Sequence, residues 1–96
     1  MNIISKKALK DFWEEYPDSK TPLLTWFKIV KVSKYISFNH LRSTFKMADK
    51  VGDKIVFNIG GNKYRLVTVI HFNCGRIYVR HVLTHEEYNN EGWKYG

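Results

Sequence analysis

Arg65, Arg80, His85 and Tyr88 are the side chains of this sequence whose types suit work on a phosphodiester. Guanidinium presents a planar fork of donors that matches phosphate oxygens. Imidazole titrates near neutrality and carries a proton in either direction. A phenol ring offers a flat surface to a base. Arg65 closes the run Val56-Phe57-Asn58-Ile59-Gly60-Gly61-Asn62-Lys63-Tyr64-Arg65-Leu66. Arg80 lies in the next apolar run, and His85 and Tyr88 follow it in Thr84-His85-Glu86-Glu87-Tyr88.

Three strands must position these groups. Residues 54–59, 62–72 and 76–83 are rich in Val, Ile, Tyr and Phe. Gly60-Gly61 separates the first two, and Asn73-Cys74-Gly75 the last two. A two-residue glycine turn and a three-residue loop closed by glycine are hairpin signals, so the region predicts an antiparallel meander. Side chains alternate along each strand. In regular register Ile55, Phe57, Ile59, Leu66, Ile70, Ile77 and Val79 share the inner face. Asn58, Arg65, Tyr78 and Arg80 share the other. Asn58 and Tyr78 alone are ordinary for a solvent-facing strand. Two arginines on adjacent strands repel each other and call for an anion between them. A one-residue bulge would change the assignment.

The rest of the chain supplies what packs behind that sheet. Residues 1–4 read as a short strand able to join its edge. Ser5 stands at a helix start, and Leu9, Phe12, Trp13 and Tyr16 form one helical stripe that Pro17 ends. Thr21-Pro22 opens a second helix. Leu23, Trp26, Phe27 and Val30 give it a buried face, and the pattern extends to about Tyr35. Residues 37–53 read as a polar loop with a short turn near Leu41.

The 96 residues carry 16 Lys+Arg against 9 Asp+Glu, a net charge of +7. They read as one small domain spanning 1–96. A domain this basic suits a polyanion or an acidic partner. Between residues 20 and 48, Lys20, Lys28, Lys31, Lys34, Arg42 and Lys46 occur with no acid. That span is either a solvated helix face or a phosphate-contacting flank. Cys74 is the single cysteine, so no internal disulfide forms and a reducing, cytoplasmic setting is expected. No secretory signal pattern and no membrane-length apolar run is present. His40, His71, His81 and His85 lack the spacing of a helical or finger-type zinc site. Gly60-Gly61 lies between strands and not before a helix, so it is no phosphate cradle. Neither a metal nor a cofactor is expected.

The hairpin block from Phe57 to Val67 and the Thr84-His85-Glu86-Glu87-Tyr88 block together resemble the HigB group of RelE-type toxins. Those are the toxin halves of bacterial type II toxin–antitoxin pairs. The resemblance extends to Lys7-Ala8-Leu9, Tyr16-Pro17, Pro22-Leu23 and Ala48-Asp49. It implies an α+β fold with two N-terminal helices on a twisted antiparallel sheet. It implies a metal-independent mRNA endoribonuclease that acts on messages at the ribosome and so inhibits translation. By the same resemblance, the ribose 2′-hydroxyl is expected to attack the adjacent phosphate, leaving a 2′,3′-cyclic phosphate and a 5′-hydroxyl. It also implies a HigA-type antitoxin, with operator DNA bound only through that partner, and no membrane.

Carried over by motif, Arg65 is the phosphate-stabilising arginine; Arg80, placed on the same face by strand alternation, is expected to bind that phosphate with it. His85 lies where related toxins place a proton-transfer or phosphate-binding residue, and Tyr88 matches the tail aromatic. Lys63, Asn58, Arg42, Lys46 and Lys54 are the expected contacts to the rest of the RNA. Where the group often has aspartate after that tyrosine, this chain has Asn89, and Glu86 or Glu87 could stand in. Two other readings compete. A gyrase poison on the same fold needs no proton-transfer group. A non-catalytic RNA- or ribosome-binding module would use the basic span and surplus rings.

Overall fold

Apolar helix stripes and one apolar sheet face meet in the core, and a tight double turn brings the stripes together. The computed structural model describes residues 1–90 and 92–95. β1 (Asn2–Ile4) leads into α1 (Lys6–Glu15), which buries Leu9 and Phe12. Pro17 does more than end α1. It opens a 3-10 turn (Pro17–Ser19) that runs directly into α2 (Lys20–Val32). The buried Ser19 hydroxyl donates to the Tyr16 carbonyl at 2.6 Å and holds this junction. α2 therefore starts one residue ahead of Thr21-Pro22. It also ends before Tyr35: the Ser33 hydroxyl donates back to the Ile29 carbonyl at 2.6 Å, the backbone turns extended, and Tyr35 swings into the core. Ser5 precedes α1 but its side chain caps nothing, with φ at +76°.

Residues 37–53 fold further than the expected loop. α3 (Phe38–Thr44) starts at Ser37, whose hydroxyl accepts the His40 N–H at 3.1 Å, and buries Leu41. Seven residues are too few for helical periodicity to show. β2 (Asp49–Val51) then pairs antiparallel with β3. Asp-Lys-Val carries little strand propensity; the neighbouring strand makes it one.

β3 (Lys54–Ile59), β4 (Tyr64–His71) and β5 (Arg76–Thr84) form the expected meander. The sheet order is β1-β5-β4-β3-β2. β1 does join the edge, but parallel to β5, with Ile3 opposite Ile77. The sheet is thus five-stranded and mixed where an antiparallel one was expected. Helices intervene between β1 and β5, so no hairpin constrains their relative direction. The first hairpin is also longer than a two-residue turn. Ile59 pairs with Tyr64, and Gly60 and Gly61 both take positive φ, a backbone that strains any other residue.

Ile55, Phe57, Ile59, Leu66, Ile77 and Val79 are buried under the helices as the alternation requires. The opposite face is not wholly polar. Val56 and Val67 form a second small core with Trp93, joined by Leu83 and Tyr88. A bulge interrupts β5: Val67 pairs with His81 and Thr68 with Val79, leaving Arg80 as the extra residue.

A polar link ties the 3-10 turn after α1 to the first hairpin. Tyr64 donates its hydroxyl to Asp18 Oδ1 at 2.5 Å, and Lys63 Nζ lies 3.0 Å from Oδ2. The phenol bond, seconded by Lys63, holds the Asp18 carboxyl below its ordinary value. The same bond, with burial, pushes Tyr64 up to about 12. A depressed carboxyl stabilises the fold fully above its ordinary pKa and loses that effect as pH falls through the lower folded value. A raised phenol does so below its ordinary pKa and fades as pH rises through the higher one. Melting-temperature differences between wild type and Asp18→Asn are expected to be widest between about pH 5 and pH 9 and to close at both extremes. A gap that stays constant with pH would refute this origin.

Candidate functional site

The far face of the meander and the segment 42–49 enclose a cleft of about 360 Å³. Arg42, Lys46, Asp49, Asn58, Arg65 and Tyr88 line it, with Met47, Ala48 and Val56 between them. Sheet register sets most of this row. Arg65 on β4 sits directly opposite Asn58 on β3 and Leu83 on β5. Directly opposed side chains have Cβ atoms about 4.5–5.5 Å apart, so Asn58 and Arg65 form one pair. A second hollow of about 350 Å³ shares Lys46, Met47, Ala48 and Asn58 and continues to Phe45, Phe57, Gly61 and Asn62. The two make a groove that turns around Asn58.

Arg65 is half-buried and held by one edge. Its Nη1 donates to the carbonyls of Asn62 at 3.1 Å and Tyr64 at 3.2 Å. Among the described residues its remaining nitrogens make no hydrogen bond, so part of the fork is open to an anion. Its Cζ lies 5.4 Å from the ring centroid of Tyr88. That ring stacks on Trp93 at 5.0 Å and 15°, and Trp93 Nε1 donates to the Tyr88 carbonyl at 2.9 Å. Tyr88 is therefore fixed on Trp93 and in turn steadies the guanidinium.

α4 (His85–Asn89) presents Tyr88 because Thr84 starts it with a capping box. Thr84 Oγ1 accepts the Glu87 N–H at 3.2 Å, and Glu87 Oε1 accepts the Thr84 N–H at 3.0 Å. Glu87 is thus committed to the cap. His85 opens the helix at the cleft's rim. Its N–H donates to the Lys63 carbonyl at 3.1 Å, which ties it to the hairpin end beside Arg65. Its exposed ring brings Nδ1 to 3.1 Å from Asn89 Nδ2. His85 does not line the cleft, but Tyr88 three residues on is its neighbour on the helix surface. On the opposite wall, Arg42 Nη2 donates to the Lys46 carbonyl at 3.2 Å, fixing the turn that carries Lys46.

Of the residues singled out from sequence, the cleft gathers Arg65, Tyr88, Asn58, Arg42 and Lys46. It does not gather Arg80, Lys63 or Lys54. Arg80 sits in the bulge, and Leu83, the partner of Arg65, lies three residues further along β5, about 10 Å away. Lys63 is paired with Asp18. The Lys54 side chain is 12% exposed, lies 3.5 Å from Asp53, and stands four residues along β3 from Asn58, about 13 Å. Asp49, Met47 and Trp93 were not read from sequence as site residues. For Trp93 a signal existed: Val56 and Val67 are apolar at positions of the outer face and need a cover. Among the described residues, no group of three or more His, Cys, Asp or Glu side chains is arranged to hold a metal ion. No described helix is long and apolar enough to cross a membrane.

Fold and site define a small α+β domain with a cation-lined cleft on the outer face of a β-meander. The chain belongs to the HigB toxin family, the RelE-like toxic component of a toxin–antitoxin system, whose family model matches residues 19–91. It is 38% identical over 92 residues to the mRNA interferase toxin HigB of Escherichia coli strain K12, covering 93% of this chain and 88% of that protein. The mRNA interferase HigB of Shigella flexneri matches to the same extent. The mRNA interferase HigB of Escherichia coli O6:H1 is 29% identical over 92 residues, covering 93% of this chain and 89% of the relative. The family match includes every cleft residue from Arg42 to Tyr88 and stops short of Trp93.

Proposed function

We propose that this protein is the toxin of a toxin–antitoxin pair and cuts messenger RNA in the cleft between α3 and the meander. The carrying observation is Arg65: anchored by one edge, open on the other, and set among Arg42, Lys46, Asn58 and Tyr88. Relatives named mRNA interferases support the choice of substrate. The scissile phosphate lies on Arg65, where a preorganised donor stabilises charge growing on its oxygens. The RNA supplies its own nucleophile, the 2′-hydroxyl next to that phosphate. His85 moves a proton at the rim, and Tyr88 orients Arg65 and meets the ribose or base edge. Arg42 and Lys46 hold the flanking phosphates. Arg80 extends the contact to RNA or ribosome outside the cleft. The message is met on the ribosome in the cytoplasm, and a HigA-type antitoxin silences the toxin and carries it to operator DNA.

His85 standing at the rim, outside the lining, favours one competing reading, a module that binds RNA without cutting it. Purified protein added to message-bearing ribosomes separates the two. Cleavage with 2′,3′-cyclic phosphate and 5′-hydroxyl ends is expected, slowed about 10²–10⁴-fold by His85→Ala. Intact RNA held in a salt-sensitive complex would establish the binder instead, and 3′-hydroxyl ends would exclude 2′-hydroxyl attack.

A further inference from the structure

We propose that Asp49 is the catalytic base of this cleft, accepting the hydrogen of the attacking 2′-hydroxyl; the inference rests on the RNA-cleaving function proposed above. Asp49 is the one acid among the cleft's lining residues. It is exposed, and among the described residues its carboxylate makes no hydrogen bond or ion pair. The other acids close to the cleft in sequence or space are occupied or displaced. Glu87 closes the capping box and Asp18 holds Tyr64 and Lys63. Glu86 lies on α4 outside the lining.

Register places Asp49 where a base is needed. It pairs with Val56 and so shares the face that carries Asn58 and Arg65. Strands lie about 4.8 Å apart and rise about 3.3 Å per residue, so its backbone is about 12 Å from that of Arg65, two strands away. Arg65 is held against Tyr88 and the hairpin end, Asp49 lies two strands away, and the cleft of about 360 Å³ that both line has room for one ribose-phosphate unit. Across the sheet the sequence of groups is Asp49, Asn58, Arg65, then Tyr88 with His85 at the rim. In-line displacement requires the entering and leaving oxygens on opposite sides of phosphorus. Asp49 and His85 flank Arg65 on opposite sides.

The step balances. The carboxylate takes the 2′-hydroxyl hydrogen as the 2′-oxygen bonds to phosphorus. The bond from phosphorus to the 5′-oxygen breaks, its electron pair stays on that oxygen, and a proton from His85 or from rim water completes the 5′-hydroxyl. Proton exchange with solvent restores both groups.

Asp49→Asn in the full chain tests the assignment by single-turnover cleavage of a message on purified ribosomes. The rate is expected to fall about 10²–10⁴-fold. RNA affinity should hold or tighten, because a like charge has left the phosphate path. Asp49→Glu should recover part of the rate. An Asp49→Asn rate within threefold of wild type, with cyclic phosphate ends, overturns the inference and leaves the nuclease standing. A parallel loss of affinity and rate overturns it in favour of a structural role. Wild-type products with 3′-hydroxyl ends overturn both.

Discussion

Arg65→Ala is expected to cut RNA about 10²–10³-fold more slowly than wild type, the usual cost of removing one preorganised donor from a developing anion. Growth arrest on expression should disappear with it. The fold should survive. Arg65 is half-buried, and the carbonyls of Asn62 and Tyr64 that it satisfies lie at the hairpin end where water can replace it. Arg65→Lys keeps the charge but not the fork, and a flexible ammonium cannot hold two carbonyls and a phosphate from one plane. Its rate should lie nearer Ala than wild type. Cleavage by Arg65→Ala at the wild-type rate, measured on the same ribosome-bound message, would remove this cleft as the reaction centre.

Phe57→Ala is expected to have the largest effect on stability. The ring is 1% exposed. It meets Trp26 of α2 edge-on at 5.4 Å and Phe45 at 5.1 Å. Removing it empties the junction of three elements at a cost of about 3–5 kcal/mol. A domain of this size holds only about 5–15 kcal/mol in total, and each kcal/mol moves its melting temperature by about 4–8 °C. The melt should fall by about 15 °C or more. Because Lys46 to Asp49, which follow Phe45 directly, line the cleft with Arg65, activity should fall at temperatures well below the new melt. A drop under about 5 °C would mean that the wall collapses onto the sheet and fills the space.

Much of this molecule was legible from local pattern. The helical stripes of Leu9–Phe12 and Leu23–Trp26–Val30 and the alternation of Ile55, Phe57 and Ile59 depend on neighbours a few residues apart. That Asn58 and Arg65 share the outer face was legible from alternation, but their direct pairing was not, because a two-residue turn at Gly60-Gly61 would set Asn58 opposite Lys63. Arg42 and Lys46 were visible as charge in an acid-free span, but not as one wall of a cleft. Arg80 shows why reading stops there. Alternation placed it beside Arg65, and one bulge moved it out of the regular register.

By itself the sequence determined the elements with strong periodicity, the basic balance, and an arginine and an aromatic that line the cleft, because those follow from spacing along the chain. Tertiary structure alone decided the parallel seat of β1, the existence of β2, the ion pairs that engage Lys63 and Lys54, and the return of Trp93 beneath Tyr88. It also turned Asp49 from a residue in a loop into a carboxylate facing Arg65 across a cleft. Each of these depends on partners distant in sequence or on strands too short to declare themselves. Only the assembled sheet supplies the neighbour that fixes them.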